Sequence, residues 1–194
     1  DLWQTCANLR LAYVFMYGHP GKKLLFMGGE YGQFREWTEK ESLEWFMLKY
    51  EHHAKIKDFV RDLNHLYLEN DAFWYNDFNF YGFEWINCSR ADISVVSFAR
   101  KGLDERSLLL FVCNFTPVVR DKFRIGVQRP GRYVEILNSD SEKYGGSGII
   151  NYGDVESQPI MFDNQGQSVE INLPPLGGVV LKYIGKNEEA ETGE

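Results

Sequence analysis

Apolar positions in the first third of the chain follow two different periods. Between residues 1 and 17 they recur at near-helical spacing behind Asp1, a residue type that caps helix N-termini, so the pattern predicts a helix. A stripe at positions i, i+3, i+4 and i+7 predicts a second helix over 54–69. Between the two, a short apolar run that stops at two glycines predicts a strand over 23–27, buried on both faces as in parallel sheets.

A long connection over 28–54 joins the predicted strand to the second helix, with a helical turn expected around 42–48. Loops of this length are usually functional or disordered. Five aromatic side chains favour an ordered loop, because such rings are rare in disordered segments. They are Tyr31, Phe34, Trp37, Trp45 and Phe46.

The pattern changes after residue 71. Short runs rich in β-branched and aromatic residues alternate with turn clusters, which predicts an antiparallel β-sandwich. The runs cover 83–87, 93–100, 107–115, 121–127, 131–138, 168–173 and 179–184. Residues 139–167 have little periodicity and are expected to form a long loop with at most one short strand. The chain therefore divides into a helix–strand–loop–helix segment over 1–71, an all-β domain over 72–185 and a polar tail over 186–194 that is expected to be disordered.

The first segment contains only one predicted strand, and a single parallel strand cannot form a sheet. The chain also begins at Asp1, without a methionine, directly on a predicted helix. We therefore expect residues 1–71 to be the end of a larger unit. The helices over 1–17 and 54–69 would then keep bare apolar faces, and large exposed patches favour association. Self-association through these two helices, or loose ordering of both, follows as an expectation.

Composition excludes several classes of partner. The net charge of −7 and the pI near 5.2 argue against nucleic acid and anionic membranes, because both require a basic face. No apolar run approaches the length of a membrane span, and no signal peptide opens the sequence. The 3 cysteines are odd in number and widely spaced, which argues against a disulfide framework. We expect three buried thiols and a reducing, cytoplasmic environment.

No metal or other cofactor is predicted. The adjacent His52 and His53 point to different sides of a helix and are expected to be a solvated pair. Asp154, Glu156 and Asp163 lie in predicted loops but lack the spacing of a calcium-binding loop, so solvation is expected for them too.

The strongest candidate for a functional segment is residues 22–37, with the sequence KKLLFMGGEYGQFREW. Polar and aromatic side chains crowd together directly after the predicted strand. In parallel α/β folds, active sites form where strands end and loops begin. The segment is therefore predicted to form one wall of an active site.

The same segment carries a family resemblance. Blocks over 20–30, 33–37 and 42–45 resemble the eighth strand and following loop of 1,4-α-glucan (glycogen) branching enzymes, members of the α-amylase superfamily. Blocks over 77–79, 81–86, 112–117 and 173–176 resemble the C-terminal β-domain of that family. The resemblance covers 1–184 and is specific because the separated blocks occur in the family's order. One departure is Gly29, which stands where relatives often have asparagine.

The resemblance implies a (β/α)8 barrel followed by an antiparallel β-sandwich, with residues 1–71 as the last barrel segment. It implies an enzyme that cuts an α-1,4-glucan chain and transfers it to a 6-hydroxyl, making α-1,6 branches in glycogen without a cofactor. Such retaining chemistry uses a carboxylate nucleophile and a carboxyl acid/base. The family carries these two groups and a third, transition-state-stabilising aspartate on strands four, five and seven, and no residue here matches them. We therefore expect no catalytic residue in this chain and no activity from it alone.

The residues that the resemblance makes candidates for substrate binding are Glu30, Tyr31, Gln33, Arg35 and Trp37. All of them except Gln33 also have a structural interpretation. Glu30 would either contact sugar or hold the turn after the strand, and Tyr31 and Trp37 would either stack on glucose rings or pack the loop. Arg35 and Glu36 are expected to be structural partners of each other or of the backbone.

Two alternatives stay open at this point. The parent protein could be a hydrolase or debranching enzyme of the same superfamily. The β-domain could instead be a non-catalytic glucan-binding module that uses a group of exposed aromatic side chains. The candidates are Trp74, Tyr81, Phe83 and Trp85. Our own expectation for these side chains is that they fill the seam between sandwich and barrel.

Overall fold

The computed structural model describes residues 1–186; residues 187–194, which make up most of the predicted tail, lie outside the described residues. Two helices precede an all-β region: α1 (Leu2–Gly18) and α2 (Glu51–Glu69). The strands are β1 (Phe83–Asn87), β2 (Val95–Lys101), β3 (Leu108–Asn114), β4 (Arg120–Val127), β5 (Arg132–Asn138), β6 (Asp154–Glu156), β7 (Gln167–Leu173) and β8 (Gly177–Gly185). No helix within 1–186 is both long and apolar enough to cross a lipid bilayer.

Both predicted helices are confirmed, with different starting points. The carboxylate of Asp1 accepts a hydrogen bond of 3.0 Å from the backbone N–H of Trp3 and caps α1 as expected. Helix α2 begins at Glu51, earlier than the apolar stripe indicated, so His52 and His53 belong to its first turn. The turn expected around 42–48 is a short 3-10 helix over Trp45–Lys49.

The all-β region confirms the antiparallel prediction. Six strands form one sheet in the order β1-β2-β3-β8-β5-β6, and β4 pairs with β7 in a second, two-stranded sheet. Every pairing in both sheets is antiparallel. The single short strand allowed for in the 139–167 loop is β6, which extends the large sheet beside β5. The fold class is therefore α+β.

The central strand β3 separates two cores. All of its residues are buried, and its alternate side chains enter opposite layers. Leu110 and Val112 pack towards the small sheet, whereas Phe111 belongs to the core shared with the helices. Its ring stacks on that of Phe98 at a centroid distance of 5.0 Å. The molecule thus has three layers: the two-stranded sheet, the six-stranded sheet and the helices.

The expectation that both helices keep bare apolar faces is wrong. The stripe of α2, including Phe59 and Leu63, is buried in the same core as Val14 of α1 and the rings of the large sheet. The sequence pattern marked these faces as apolar but could not identify the surface that covers them. Self-association through the two helices was expected because their apolar faces would be bare. Burial of these faces removes that reason, and self-association stays a prediction.

The strand predicted over 23–27 is also wrong. Residues 22–26 have no regular secondary structure, and no strand lies beside them within 1–186. Leu24 is 74% exposed and Phe26 is 53% exposed, instead of buried on both faces. A strand is defined by hydrogen bonds to a neighbour, and the apolar run alone does not supply one.

A buried ion pair joins the helical layer to the large sheet. Arg100 of β2 is fully buried and lies 2.8 Å from the carboxylate of Asp77. Its guanidinium also donates to the backbone carbonyls of Gly18, Phe73 and Gly82, over 2.6–3.2 Å. The carboxylate accepts the N–H of Gly21 as well. The end of α1 and the segment after α2 are therefore tied to one side chain of the sheet.

The end of α1 also touches the sheet directly. A Cβ atom added to Gly18 would lie 2.6 Å from the Phe111 ring and 2.8 Å from the Phe98 ring. Only glycine permits the backbone to approach these rings so closely. The close contact with the two rings and the hydrogen bond from Arg100 therefore both fix the position of Gly18.

We expect Arg100→Met to lower the free energy of unfolding by about 3–5 kcal/mol, because it leaves the Asp77 carboxylate buried without its counterion. Urea unfolding followed by circular dichroism measures the change. Arg106→Met is the matched control, since Arg106 is exposed and its loss should change stability by less than about 0.5 kcal/mol. Equal unfolding midpoints for the two variants would contradict the role assigned to Arg100.

Candidate functional site

The candidate segment leaves α1 as a stretch without regular secondary structure and then folds into a compact loop. Gly28 and Gly32 adopt left-handed backbone angles, with φ of 85° and 69°, on either side of a single 3-10 turn over Gly29–Tyr31. Glycine is the residue that takes this conformation without strain. We refer to residues 28–44 as the 28–44 loop. It contains all five candidate substrate-binding residues.

Tyr31 lies inside the 28–44 loop. Its side chain has no exposed surface, and its ring packs beside that of Trp45 at 5.5 Å between centroids. Its hydroxyl donates to Oε1 of Gln33 over 2.8 Å. The ring is therefore part of the loop's interior and is not presented for stacking on a sugar.

His53 connects this interior to helix α2. Its Nδ1 lies 2.8 Å from the carbonyl oxygen of Tyr31, so that nitrogen carries the hydrogen and donates it. The imidazole is only 4% exposed and meets the Phe34 ring edge to face at 5.0 Å. The expected solvated histidine pair is therefore wrong for His53, which anchors the loop to the helix.

Gln33 uses its side-chain amide inside the loop. Oε1 accepts both the Tyr31 hydroxyl and the backbone N–H of Glu44, the latter over 2.9 Å, and Nε2 donates to the carbonyl of Arg35 over 3.1 Å. The amide thus joins both arms of the loop.

Arg35 and Trp37 point outward. The Arg35 side chain forms an ion pair with Glu41, and not with Glu36 or the backbone, the two structural partners that were expected. Trp37 is 49% exposed and meets the ring of Phe26 edge to face at 5.4 Å. The flat, half-exposed indole of Trp37 is a suitable surface for the apolar face of a sugar ring.

Glu30 is half-buried at the start of the loop, near Tyr13 of α1. The Tyr13 hydroxyl donates to the carbonyl of Gly29. Burial, and secondly the negative charge of Glu30, raises the pKa of Tyr13 to about 12. The carboxylate therefore lies close to a tyrosine that stays neutral over the physiological range.

An open groove of about 740 Å³ lies against the far side of the 28–44 loop. Its floor and walls are mainly apolar, with charged groups at the edges. The lining residues are Leu2, Phe34, Arg35, Glu44, Phe46, Met47, Lys49, Tyr50, Glu51, His52 and His53. Of the five candidate residues, only Arg35 contributes to it. Lys49 and Tyr50 could not be identified as site residues from the sequence, because a groove between a loop and a helix leaves no local motif.

The aromatic side chains of the β-domain are only partly in a seam. Trp85 packs on Phe83, Phe98 and His19 but stays 41% exposed, and Tyr81 is 68% exposed. For Tyr81 the expected burial is therefore not found within residues 1–186.

The three carboxylates for which solvation was expected differ. Asp154 and Glu156 are exposed, as expected, and Asp154 forms a surface ion pair with Arg132 at 2.8 Å. The expectation is wrong for Asp163, whose side chain is only 3% exposed and pairs with Arg90 at 2.9 Å. The part of the chain that the structure describes brings together no group of side chains that could hold a metal ion. Cys6 and Cys113 are buried as expected, but Cys88 is exposed.

Curated relatives match almost the whole chain, including the helical segment. The protein named "1,4-alpha-glucan branching enzyme GlgB" of Halothermothrix orenii is 46% identical over 186 residues, which are 96% of this chain and 30% of the relative. Proteins of the same name from Cellvibrio japonicus and Aquifex aeolicus are 47% and 45% identical, over 94% and 95% of this chain. The chain thus spans between 24% and 30% of the length of these relatives.

Solved structures share the fold at low sequence identity. The structure of Ttha1563 from Thermus thermophilus has a TM-score of 0.60 at 18% identity and covers 91% of this chain and 31% of that protein. A trehalulose synthase mutant has a TM-score of 0.53 at 13% identity, covering 92% and 38%. These two likenesses support the fold alone.

The all-β region is matched by a family model. The model is described as "Alpha amylase, C-terminal all-beta domain" and matches residues 85–184, just over half of the chain. It spans nearly all of β1 to β8, the strands on which both sheets are built. The chain belongs to the family of the α-amylase C-terminal all-β domain.

Proposed function

We propose that this chain is the C-terminal part of a 1,4-α-glucan branching enzyme. That enzyme cuts an α-1,4-glucan chain and transfers it to a 6-hydroxyl, which makes the α-1,6 branches of glycogen. The observation that carries the proposal is the similarity to proteins of that name, at 43–48% identity over 94–100% of this chain. It extends through the helices and the 28–44 loop as well as the β-domain. We place the activity in the cytoplasm.

In this proposal residues 1–71 are the last segment of a (β/α)8 barrel and residues 72–185 are the C-terminal β-domain. The exposure pattern of residues 23–26 supports it. Leu24 and Phe26 are exposed, whereas Lys23 and Leu25 are half-buried. Such an alternation of period two is expected of a barrel strand whose neighbours are not present.

Within the proposed enzyme, Glu30, Arg35 and Trp37 are the side chains of the 28–44 loop that contact the glucan. The indole of Trp37 offers a flat apolar face, which matches the apolar face of a pyranose ring, and Arg35 supplies hydrogen-bond donors for hydroxyl groups. Tyr31 and Gln33 support these contacts from inside the loop, since one is buried and the other is hydrogen-bonded at both ends of its amide.

No step of the transfer is assigned to this chain. Retaining glucan transfer requires a nucleophilic carboxylate and an acid/base carboxyl about 5–5.5 Å apart. In the family that the sequence resembles, these groups belong to strands four, five and seven of the barrel, and no residue of this chain corresponds to them. The contribution of the chain is therefore to shape and line the substrate site.

The isolated chain should have no branching activity. Incubation with amylose, followed by the absorbance of the iodine complex, should show no loss of absorbance, because the reacting carboxylates are missing. The full-length enzyme is the positive control and should lower the absorbance as branches shorten the iodine-binding helices. Any loss with the isolated chain above a heat-inactivated sample would contradict the assignment.

Glucan binding should depend on the 28–44 loop. In affinity electrophoresis through gels that contain glycogen, Trp37→Ala should weaken the retardation of the full-length enzyme, with a loss of about three- to tenfold in affinity for one aromatic contact. Tyr152→Ala is the matched control, since Tyr152 is an aromatic side chain that is 86% exposed and lies outside both the loop and the aromatic group of the binding-module alternative.

The binding-module alternative predicts the opposite pattern of retardation in the glycogen-containing gels. If the β-domain itself binds glucan, Trp85→Ala should weaken the retardation and Trp37→Ala should leave it unchanged. That pattern would remove the substrate role of the 28–44 loop.

A further inference from the structure

We propose that Gln33 is a positioning residue of the glucan site. Its side-chain amide fixes the shape of the 28–44 loop and thereby places Arg35 and Trp37 for substrate contact. The inference rests on the function proposed above and changes the role of Gln33 from a sugar contact to a support.

The hydrogen bonds of Gln33 fix the orientation of its amide. The backbone N–H of Glu44 can only donate and the carbonyl of Arg35 can only accept. The oxygen must therefore face Glu44, at 2.9 Å, and the nitrogen must face Arg35, at 3.1 Å. With the Tyr31 hydroxyl also bound to Oε1, the amide joins residues 31, 35 and 44 of one loop.

The surrounding backbone leaves the side chain little room to move. The N–H of Gln33 donates to the carbonyl of Gly28 over 3.0 Å. A Cβ atom at position 28 would lie 2.8 Å from both Cβ and Oε1 of Gln33, so the side chain rests against bare glycine backbone. The close contact and the left-handed angle at Gly28 both require glycine, and together they hold the amide in one place.

The same contacts argue against direct sugar binding by the amide oxygen. Both lone pairs of Oε1 are used, so a glucan hydroxyl could donate to it only by displacing Tyr31 or Glu44. Displacement would leave a donor of the half-buried loop without its acceptor, which is unfavourable. Trp37 and Arg35, by contrast, are about half exposed and face outward.

The amide is anchored to a rigid element. Tyr31, which donates to Gln33, is fully buried, and its carbonyl is held by His53 in the first turn of α2. The position of α2 is therefore passed through Tyr31 to Gln33 and on to the backbone of Arg35. Loss of the amide should loosen the outer arm of the loop while the buried ring stays in place.

Hydrogen exchange of the chain itself tests the structural part. Gln33→Met preserves length and removes the polar atoms, so the amide of Glu44 should exchange at least about tenfold faster, as expected when a hydrogen bond of a local unit is lost. Gln4→Met is the matched control, because Gln4 is exposed on α1. Unchanged exchange at Glu44 in Gln33→Met would overturn the inference. If Gln33→Met does not fold, Gln33→Glu replaces it, and the exchange of the amides of residues 35–37 is measured instead. These amides should exchange faster than in the wild type. Unchanged exchange there would also overturn the inference.

Kinetics of the full-length enzyme test the functional part. Gln33→Met should raise KM for amylose about five- to tenfold with kcat changed less than about twofold, since the loop contacts substrate and not the reacting bond. In a Trp37→Ala background the same substitution should raise KM by a smaller factor than in the wild type, because the part of its effect that acts through Trp37 is already lost. Gln33→Glu keeps both acceptor contacts but repels the Arg35 carbonyl, so its KM should lie between those of the wild type and Gln33→Met.

Two kinetic results would overturn the positioning role. One is a fall in kcat with KM unchanged, and the other is fully additive effects of the Gln33 and Trp37 substitutions. If the full-length protein makes no branches, the proposed function fails, while hydrogen exchange still decides whether Gln33 holds the loop.

Discussion

One buried guanidinium determines how the layers of this molecule fit together. Arg100 lies in the large sheet with no exposed surface, and burial of a charge is tolerable only when the charge is paired and its donors are used. Asp77 supplies the charge, and three backbone carbonyls supply the remaining acceptors. One of them belongs to Gly18, at the end of α1, where helix carbonyls lack partners within the helix. The direction in which the chain leaves α1 is thus set by a residue of the β-domain.

The 28–44 loop depends on this arrangement through a short series of contacts. Helix α2 packs on the large sheet through the face that contains Phe59 and Leu63. The other side of its first turn presents His53, which holds Tyr31, and Tyr31 in turn holds Gln33. The exposed Trp37 therefore has a position that is defined relative to the sheet, although no strand within 1–186 pairs with its loop. The all-β region can in this way contribute to the proposed glucan site without supplying a reacting group.

The sequence predicted the features that depend on neighbours along the chain. The alternating runs and turn clusters located all seven major strands, and the Asp1 cap and the α2 stripe located both helices. Features that depend on distant partners were mispredicted. The run over 23–27 looked like a strand because its apolar residues cannot reveal whether a neighbour is present, and the helix faces looked bare because the sheet that covers them lies far away in sequence. In the site, Tyr31, Gln33 and Trp37 were all candidates for substrate contact, and the sequence could not show that Tyr31 is buried and Gln33 hydrogen-bonded within the loop while Trp37 is half exposed.

The close contact between Gly18 and the rings of the large sheet makes the path of the chain after α1 depend on the residue at position 18. A methyl group at that position would meet Phe111 at 2.6 Å and act as a wedge between the end of α1 and the sheet. The backbone would have to shift there, and the residues that follow α1 would change direction with it. Variation at position 18 would then alter the proposed glucan site without changing any of the side chains proposed to contact sugar.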